Sequence, residues 1–125
     1  MSEYPVPPAT ATLRYVRLSP KKALRVVQHI RGRNAREALN LLHFMPQKAA
    51  RILEKLLRSA MANAEHNLDY NPDKLVIVRV DVGRGYYLKR WRPRARGRTY
   101  MIRRPTTNLR IVLLPEEALS DGAES

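Results

Sequence analysis

Apolar and polar positions alternate most cleanly between Leu75 and Val82. Val76, Val78, Val80 and Val82 fall on one face, and Leu75, Ile77, Arg79 and Asp81 on the other. A repeat of two is that of an extended strand. Thr106 to Leu114 is a second such run, with Leu109, Ile111 and Leu113 set against Arg110, Val112 and Leu114. Ala9 to Leu18 alternates less well, but Thr10, Thr12, Leu13, Tyr15 and Val16 favour a strand there too.

Between the first and second of these strands in chain order, the spacing changes to three and four. Ser19-Pro20 predicts a helix start, with Ser as N-cap and Pro where its missing N–H costs nothing. Ala23, Val26, Val27 and Ile30 then recur at helical spacing, and Gly32 is placed to end the helix in a left-handed conformation. Asn34 begins a second helix, with Glu37 completing a capping box. Its stripe is Ala35, Ala38, Leu39, Leu42 and Met45, and Pro46 stops it. A third helix runs from about Gln47 to Asn67, burying Ala49, Ile52, Leu53, Leu56, Leu57, Ala60 and Ala64. Small residues at Ala60, Ala62 and Ala64 allow another element to approach closely. Lys48, Arg51, Lys55 and Arg58 form a separate polar stripe, either an ordinary solvated face or a phosphate-binding one. Asp69-Tyr70-Asn71-Pro72-Asp73 is a turn cluster.

One stretch has no core of its own. From Gly83 to Pro115 there are ten cations and no acid: Arg84, Lys89, Arg90, Arg92, Arg94, Arg96, Arg98, Arg103, Arg104 and Arg110. Unpaired guanidinium groups do not enter an apolar interior, so this stretch belongs in solvent or against a polyanion. Strands on both sides predict a hairpin arm, turning near Arg94-Ala-Arg-Gly97, where glycine is permissive. With about ten residues per limb the arm reaches ~30 Å. An isolated two-stranded ribbon is marginal in water, so the tip is expected to be mobile when free and ordered when bound.

Charge sharpens the picture. The 125 residues carry a formal net charge of +13. Such a charge repels itself and is relieved by an anionic partner. Nucleic acid is the first candidate and an anionic membrane surface the second, but the apolar helical face that a membrane-surface binder needs beside its basic residues is missing. Tyr86, Tyr87, Trp91 and Tyr100 are interleaved with the arm's cations, which suits base stacking beside phosphate contacts. If all ten arm cations met phosphates, the slope of log K against log salt would reach on the order of −7 to −9, an upper bound. A localisation signal is a poorer account of the arginine run, because it lies between strands rather than on a tail.

Other chemistry is sparse. There is no Cys, hence no disulfide framework and no thiolate metal site. His29, His43 and His66 lack metal-ligand spacing, and no nucleophile, base and orienter come together. No cofactor and no enzymatic activity are expected. Met1 to Pro8 has neither the basic nor the apolar region of a secretory signal, and no run approaches the ~18 apolar residues of a membrane span. A soluble cytoplasmic protein is expected.

Leu18-Ser-Pro-Lys-Lys22, Arg58-Ser-Ala-Met-Ala-Asn-Ala64, Leu88-Lys-Arg90 and Arg92-Pro-Arg-Ala-Arg-Gly-Arg98 together closely resemble the bacterial family of large-subunit ribosomal protein twenty-two. The resemblance covers about Ala9 to Leu114. It implies an α+β fold, a small three-stranded antiparallel sheet packed on three helices with a long extended β-hairpin arm. The implied organisation is an irregular segment over 1–8, one RNA-binding domain over 9–114 including the hairpin at 84–105, and a flexible tail over 115–125. The chain departs from the family's pattern at Arg104-Pro-Thr-Thr-Asn108 and in a slightly longer link at Gly83-Arg-Gly-Tyr-Tyr87. Both bear on the hairpin's register.

The resemblance further implies binding of large-subunit ribosomal RNA early in assembly and a hairpin tip lining the nascent-peptide exit tunnel. The implied partners are that RNA, the nascent peptide and neighbouring large-subunit proteins, including protein four across the tunnel. In the family, hairpin changes affect macrolide response and peptide-dependent stalling. The RNA-binding residues expected here are Arg14, Arg17, Lys21, Lys22, Arg25, Arg84, Lys89, Arg90, Trp91, Arg92, Arg94, Arg96, Arg98, Arg103 and Arg104. Leu88, Lys89 and Arg90 match the segment near the tunnel constriction, and Arg94, Ala95, Arg96, Gly97 and Arg98 the tip, kept thin by Ala95 and Gly97. The rival is an RNA- or DNA-binding regulator or chaperone working off the ribosome.

Overall fold

The computed structural model describes residues 4–85, 88–93 and 99–119, with the backbone alone for 88–93 and 99–104. The elements run β1 (Ala9–Val16), α1 (Pro20–Val27), α2 (Ala35–Phe44), α3 (Lys48–Leu68), a 3-10 turn (Pro72–Lys74), β2 (Leu75–Arg84), β3 (Leu88–Pro93), β4 (Thr99–Arg104) and β5 (Thr107–Pro115). β1, β5 and β2 form an antiparallel sheet in that order, and β3 and β4 form a separate two-stranded sheet. This is the α+β architecture with a hairpin arm that the sequence predicts.

The core lies between the sheet and the helices, with α3 against β1 and β5, α1 against β2, and α2 against α3. Leu53, Leu57, Ile77, Leu109, Ile111 and Leu113 are fully or almost fully buried there, each contributing about 1.5–3 kcal/mol of gross hydrophobic stabilisation. Ala60 and Ala64 are buried at the α3 interface while Ala62 faces solvent.

β2 does not keep one alternation throughout. Ile77 pairs with Leu113 and Arg79 with Val112, leaving Val78 as an extra residue in a bulge. A bulge shifts the side-chain phase by one. Leu75 and Ile77 before it, and Val80 after it, therefore all reach the core. The two unbroken faces read from the sequence are corrected by this slip. β1 has its own irregularity between Leu13 and Val16, where Tyr15 takes a left-handed φ of 59°. The backbone N–H of Tyr15 donates to Asn108 Oδ1 at 2.9 Å, which helps hold that conformation.

The helix starts differ in how they are capped. Asn34 Oδ1 accepts from the N–H groups of Arg36 and Glu37 at 2.9 and 3.4 Å. The return bond expected from the Glu37 side chain to the Asn34 backbone N–H is not made among the described residues; the Asn34 side-chain amide donates separately to the carbonyl of Asp73 and to Glu116 Oε1. Ser19 precedes α1 in extended geometry, with Pro20 at the first turn, but its side chain makes no cap. Gly32 has the expected left-handed φ, 77°, though α1 ends five residues earlier and turns intervene. Its N–H donates to the Ile77 carbonyl at 2.8 Å, docking the connection on β2.

At the ends, residues 4–8 have no regular structure, yet Tyr70 Oη donates to the Pro7 carbonyl at 2.7 Å. Pro115 closes β5, and Glu116–Leu119 make a helical turn with Ala118 buried. Of the tail expected over 115–125, residues 120–125 lie outside the described residues.

Candidate nucleic-acid interface

The starts of α1 and α3 converge on one groove. Arg17, Leu18, Ser19, Lys22, Arg25, Gln47, Lys48, Ala49 and Pro105 line a volume of about 740 Å³. Lys48 Nζ donates to the carbonyl of Arg17 at 3.2 Å, tying the end of β1 to the start of α3. Neither helix has a side-chain cap or an acid in its first turn. The first N–H groups of each helix have no intrahelical acceptor, and each helix carries partial positive charge at this end. Lys22 beside such a terminus is unfavourable until an anion arrives. The groove thus combines flexible cations with fixed backbone donors, the arrangement that receives phosphate oxygens.

Pro105 also borders a smaller cleft of about 190 Å³, with Ser19, Pro20, Lys21, Arg84, Gly85 and Thr106. Basic lining therefore continues from the groove to the root of the arm. Of the residues expected from sequence, Arg17, Lys21, Lys22, Arg25 and Arg84 gather around Pro105 and are exposed. Arg14 does not join them. It lines a separate cleft with Thr12, Tyr15, Asp81, Gly83, Asn108, Leu109 and Arg110.

In the arm, the register pairs Leu88 with Arg104, Lys89 with Arg103, Arg90 with Ile102, Trp91 with Met101, Arg92 with Tyr100 and Pro93 with Thr99. Arg94, Ala95, Arg96, Gly97 and Arg98, with the turn expected there, lie outside the described residues, as do Tyr86 and Tyr87.

The stripe on α3 divides. Arg51 Nη2 donates to the carbonyls of Leu42, His43 and Met45, closing the C-terminal end of α2. Arg58 lies 3.9 Å from Glu54, a buried acid that also faces His43 Nδ1 at 3.3 Å. Lys48 belongs to the groove, and Lys55 is exposed. Arg79 is likewise engaged, with Nε 2.7 Å from Asp81 Oδ1. That bond first, and then Tyr4, hold its guanidinium above the ordinary value. Sequence reasoning left Lys48 undecided and did not see Gln47 or Pro105 as lining. The available signal was two helix starts without acids.

Among the described residues no group of His, Asp and Glu is arranged to hold a metal ion, and no helix is long and apolar enough to cross a membrane.

The family model for ribosomal protein L22p/L17e matches residues 11–114, from β1 through the arm to β5. The large ribosomal subunit protein uL22 of Caldicellulosiruptor saccharolyticus is 50% identical over 109 residues, covering 87% of this chain and 89% of its own. The protein of the same name from Thermosynechococcus vestitus is 47% identical over 116 residues, covering 93% and 95%. That of Syntrophotalea carbinolica is 50% identical over 105 residues, covering 84% and 96%. With its helices, its arm and all but the outer ends of β1 and β5 inside the match, the chain belongs to the L22p/L17e family of ribosomal proteins.

Proposed function

We propose that this chain is a structural, non-enzymatic component of the large ribosomal subunit that binds large-subunit ribosomal RNA at two places, the groove at the starts of α1 and α3 and the arm. The observation that carries this is the gathering of Arg17, Lys21, Lys22, Arg25 and Arg84 around Pro105, next to two helix starts with no side-chain cap, in a member of a ribosomal protein family. Arginine forks clamp phosphates from different RNA segments, and neutralising those segments lets them pack, which supports assembly. The arm extends the contact, with Leu88, Lys89 and Arg90 near the constriction of the peptide exit tunnel. Arg94 to Arg98 form its tip, facing the nascent peptide and, across the passage, large-subunit protein four. The protein acts in the cytoplasm as part of the ribosome.

Sucrose-gradient fractionation in high salt and a cryo-EM map of the large subunit test this. The chain is expected to stay with the large subunit, with density for the arm at the tunnel. Release into the soluble fraction in moderate salt would favour an off-ribosome nucleic-acid binder. A subunit map lacking this chain at the tunnel would overturn the tunnel assignment.

A further inference from the structure

Where α2 gives way to α3, Phe44 is 83% exposed, more than any other large hydrophobic residue described. A single exposed apolar residue is ordinary, but this one has a rigid mount. Arg51 Nη2 donates to the carbonyls of Leu42, His43 and Met45, fixing the peptides on either side of Phe44. The His43 ring meets Phe44 edge-on, with centroids 5.2 Å apart and planes at 81°. His43 is held in turn by buried Glu54 at 3.3 Å. The backbone that carries this ring is therefore already ordered before binding, which lowers the cost of engaging it.

The surroundings are basic. Lys48 follows Phe44 by four residues and belongs to the groove; Lys55 and Arg58 continue along α3 and are exposed. Glu54, the acid within this stretch, already faces His43 and Arg58. Lys55 has no ion pair among the described residues. A flat exposed ring linked through His43 and Glu54 to Arg58, on a helix that also exposes Lys55, complements a polyanion with flat faces, which is an RNA strand with an unstacked base.

We infer that Phe44 is a stacking platform for an unpaired base of the large-subunit RNA, with Lys55 and Arg58 holding the adjoining phosphates. This rests on the RNA-binding role proposed above and adds a third contact, apart from the groove and the arm.

The test is filter binding of the full chain to full-length large-subunit RNA transcribed in vitro, across a salt series, with transfer RNA as competitor. Phe44→Ala should weaken binding about 5- to 150-fold without changing the slope of log K against log salt, because stacking releases no counterions. Phe44→Trp should retain affinity and Phe44→Leu should not. The paired Lys55→Ala and Arg58→Ala change should make the slope shallower by roughly 1.4–1.8. Thermal melts of the Phe44 variants should match the parent, since the ring is exposed. Wild-type affinity in Phe44→Ala overturns the inference. Full affinity in Phe44→Leu also does, because bulk rather than a ring face would then suffice. Phe44→Ala binding RNA normally, yet leaving assembled subunits at lower salt, assigns the ring to a neighbouring protein instead. A parent chain that binds this RNA no better than transfer RNA fails the underlying role itself, a result distinct from any loss confined to Phe44.

Discussion

The backbone N–H of Gly85 donates to the carbonyl oxygen of Thr106 at 3.0 Å, joining the two points where the chain leaves the body for the arm and returns. The approach is so close that a Cβ on Gly85 would overlap the Thr106 hydroxyl and press on the Tyr15 ring at 3.2 Å. Thr106 is buried and has little room to yield. Gly85→Ala should therefore cost about 1–3 kcal/mol, read as a lower urea midpoint. Gly83→Ala is the control, because nothing lies within 4 Å of a Cβ there. Equal midpoints for the two variants would show that the joint is not sterically tight.

Arg51 is engaged within the fold. Its guanidinium closes the end of α2, and its Nε is buried. Arg51→Ala should lower unfolding stability by about 1.5–3 kcal/mol, the range for hydrogen bonds from a charged donor. The salt slope of RNA binding should stay as it was. A shallower slope with an unchanged urea midpoint would return Arg51 to the phosphate contacts.

Lys22 and Arg25 should behave in the opposite way. Both are exposed in the groove, so changing both to Ala should leave the thermal melt nearly unmoved. The slope of log K against log salt should become shallower by roughly 0.7–0.9 for each phosphate that is no longer neutralised. An unchanged slope would remove the groove from the interface.

For the arm, Arg94, Arg96 and Arg98 changed together to Ala should weaken RNA binding while the body melts as before. Calorimetry of the variant beside the parent reads this directly. An equally large loss of fold stability would show that these residues pack on the body.

Much of this architecture was legible in the chain. Pro20 and Asn34 start their helices where turn chemistry requires, and the runs at Leu75 and Thr107 are strands. What the sequence hid was tertiary. The Val78 bulge depends on how β2 meets β5, and period counting sees one strand at a time. The role of Arg51 depends on α2 ending beside it in space, which an i, i+3, i+7 stripe does not reveal. Tyr15 adopts a conformation that β-propensity argues against, supported by Asn108, 93 residues further along. The site was half legible. The excess of cations pointed to a polyanion, but only folding separated Arg14 from the groove and brought Arg84 beside it.

β5 is the middle strand of the sheet, and it follows both its partners and the whole arm in the chain. Synthesis therefore makes the arm before the platform that aims it exists. Until Thr107 to Pro115 has been made, β1 and β2 have no strand between them, and α3 lacks part of the sheet it covers. A nascent chain halted within the arm holds the basic segment without the rigid body behind it. β5 is thus both the last of the sheet's strands to be made and the one that joins the other two.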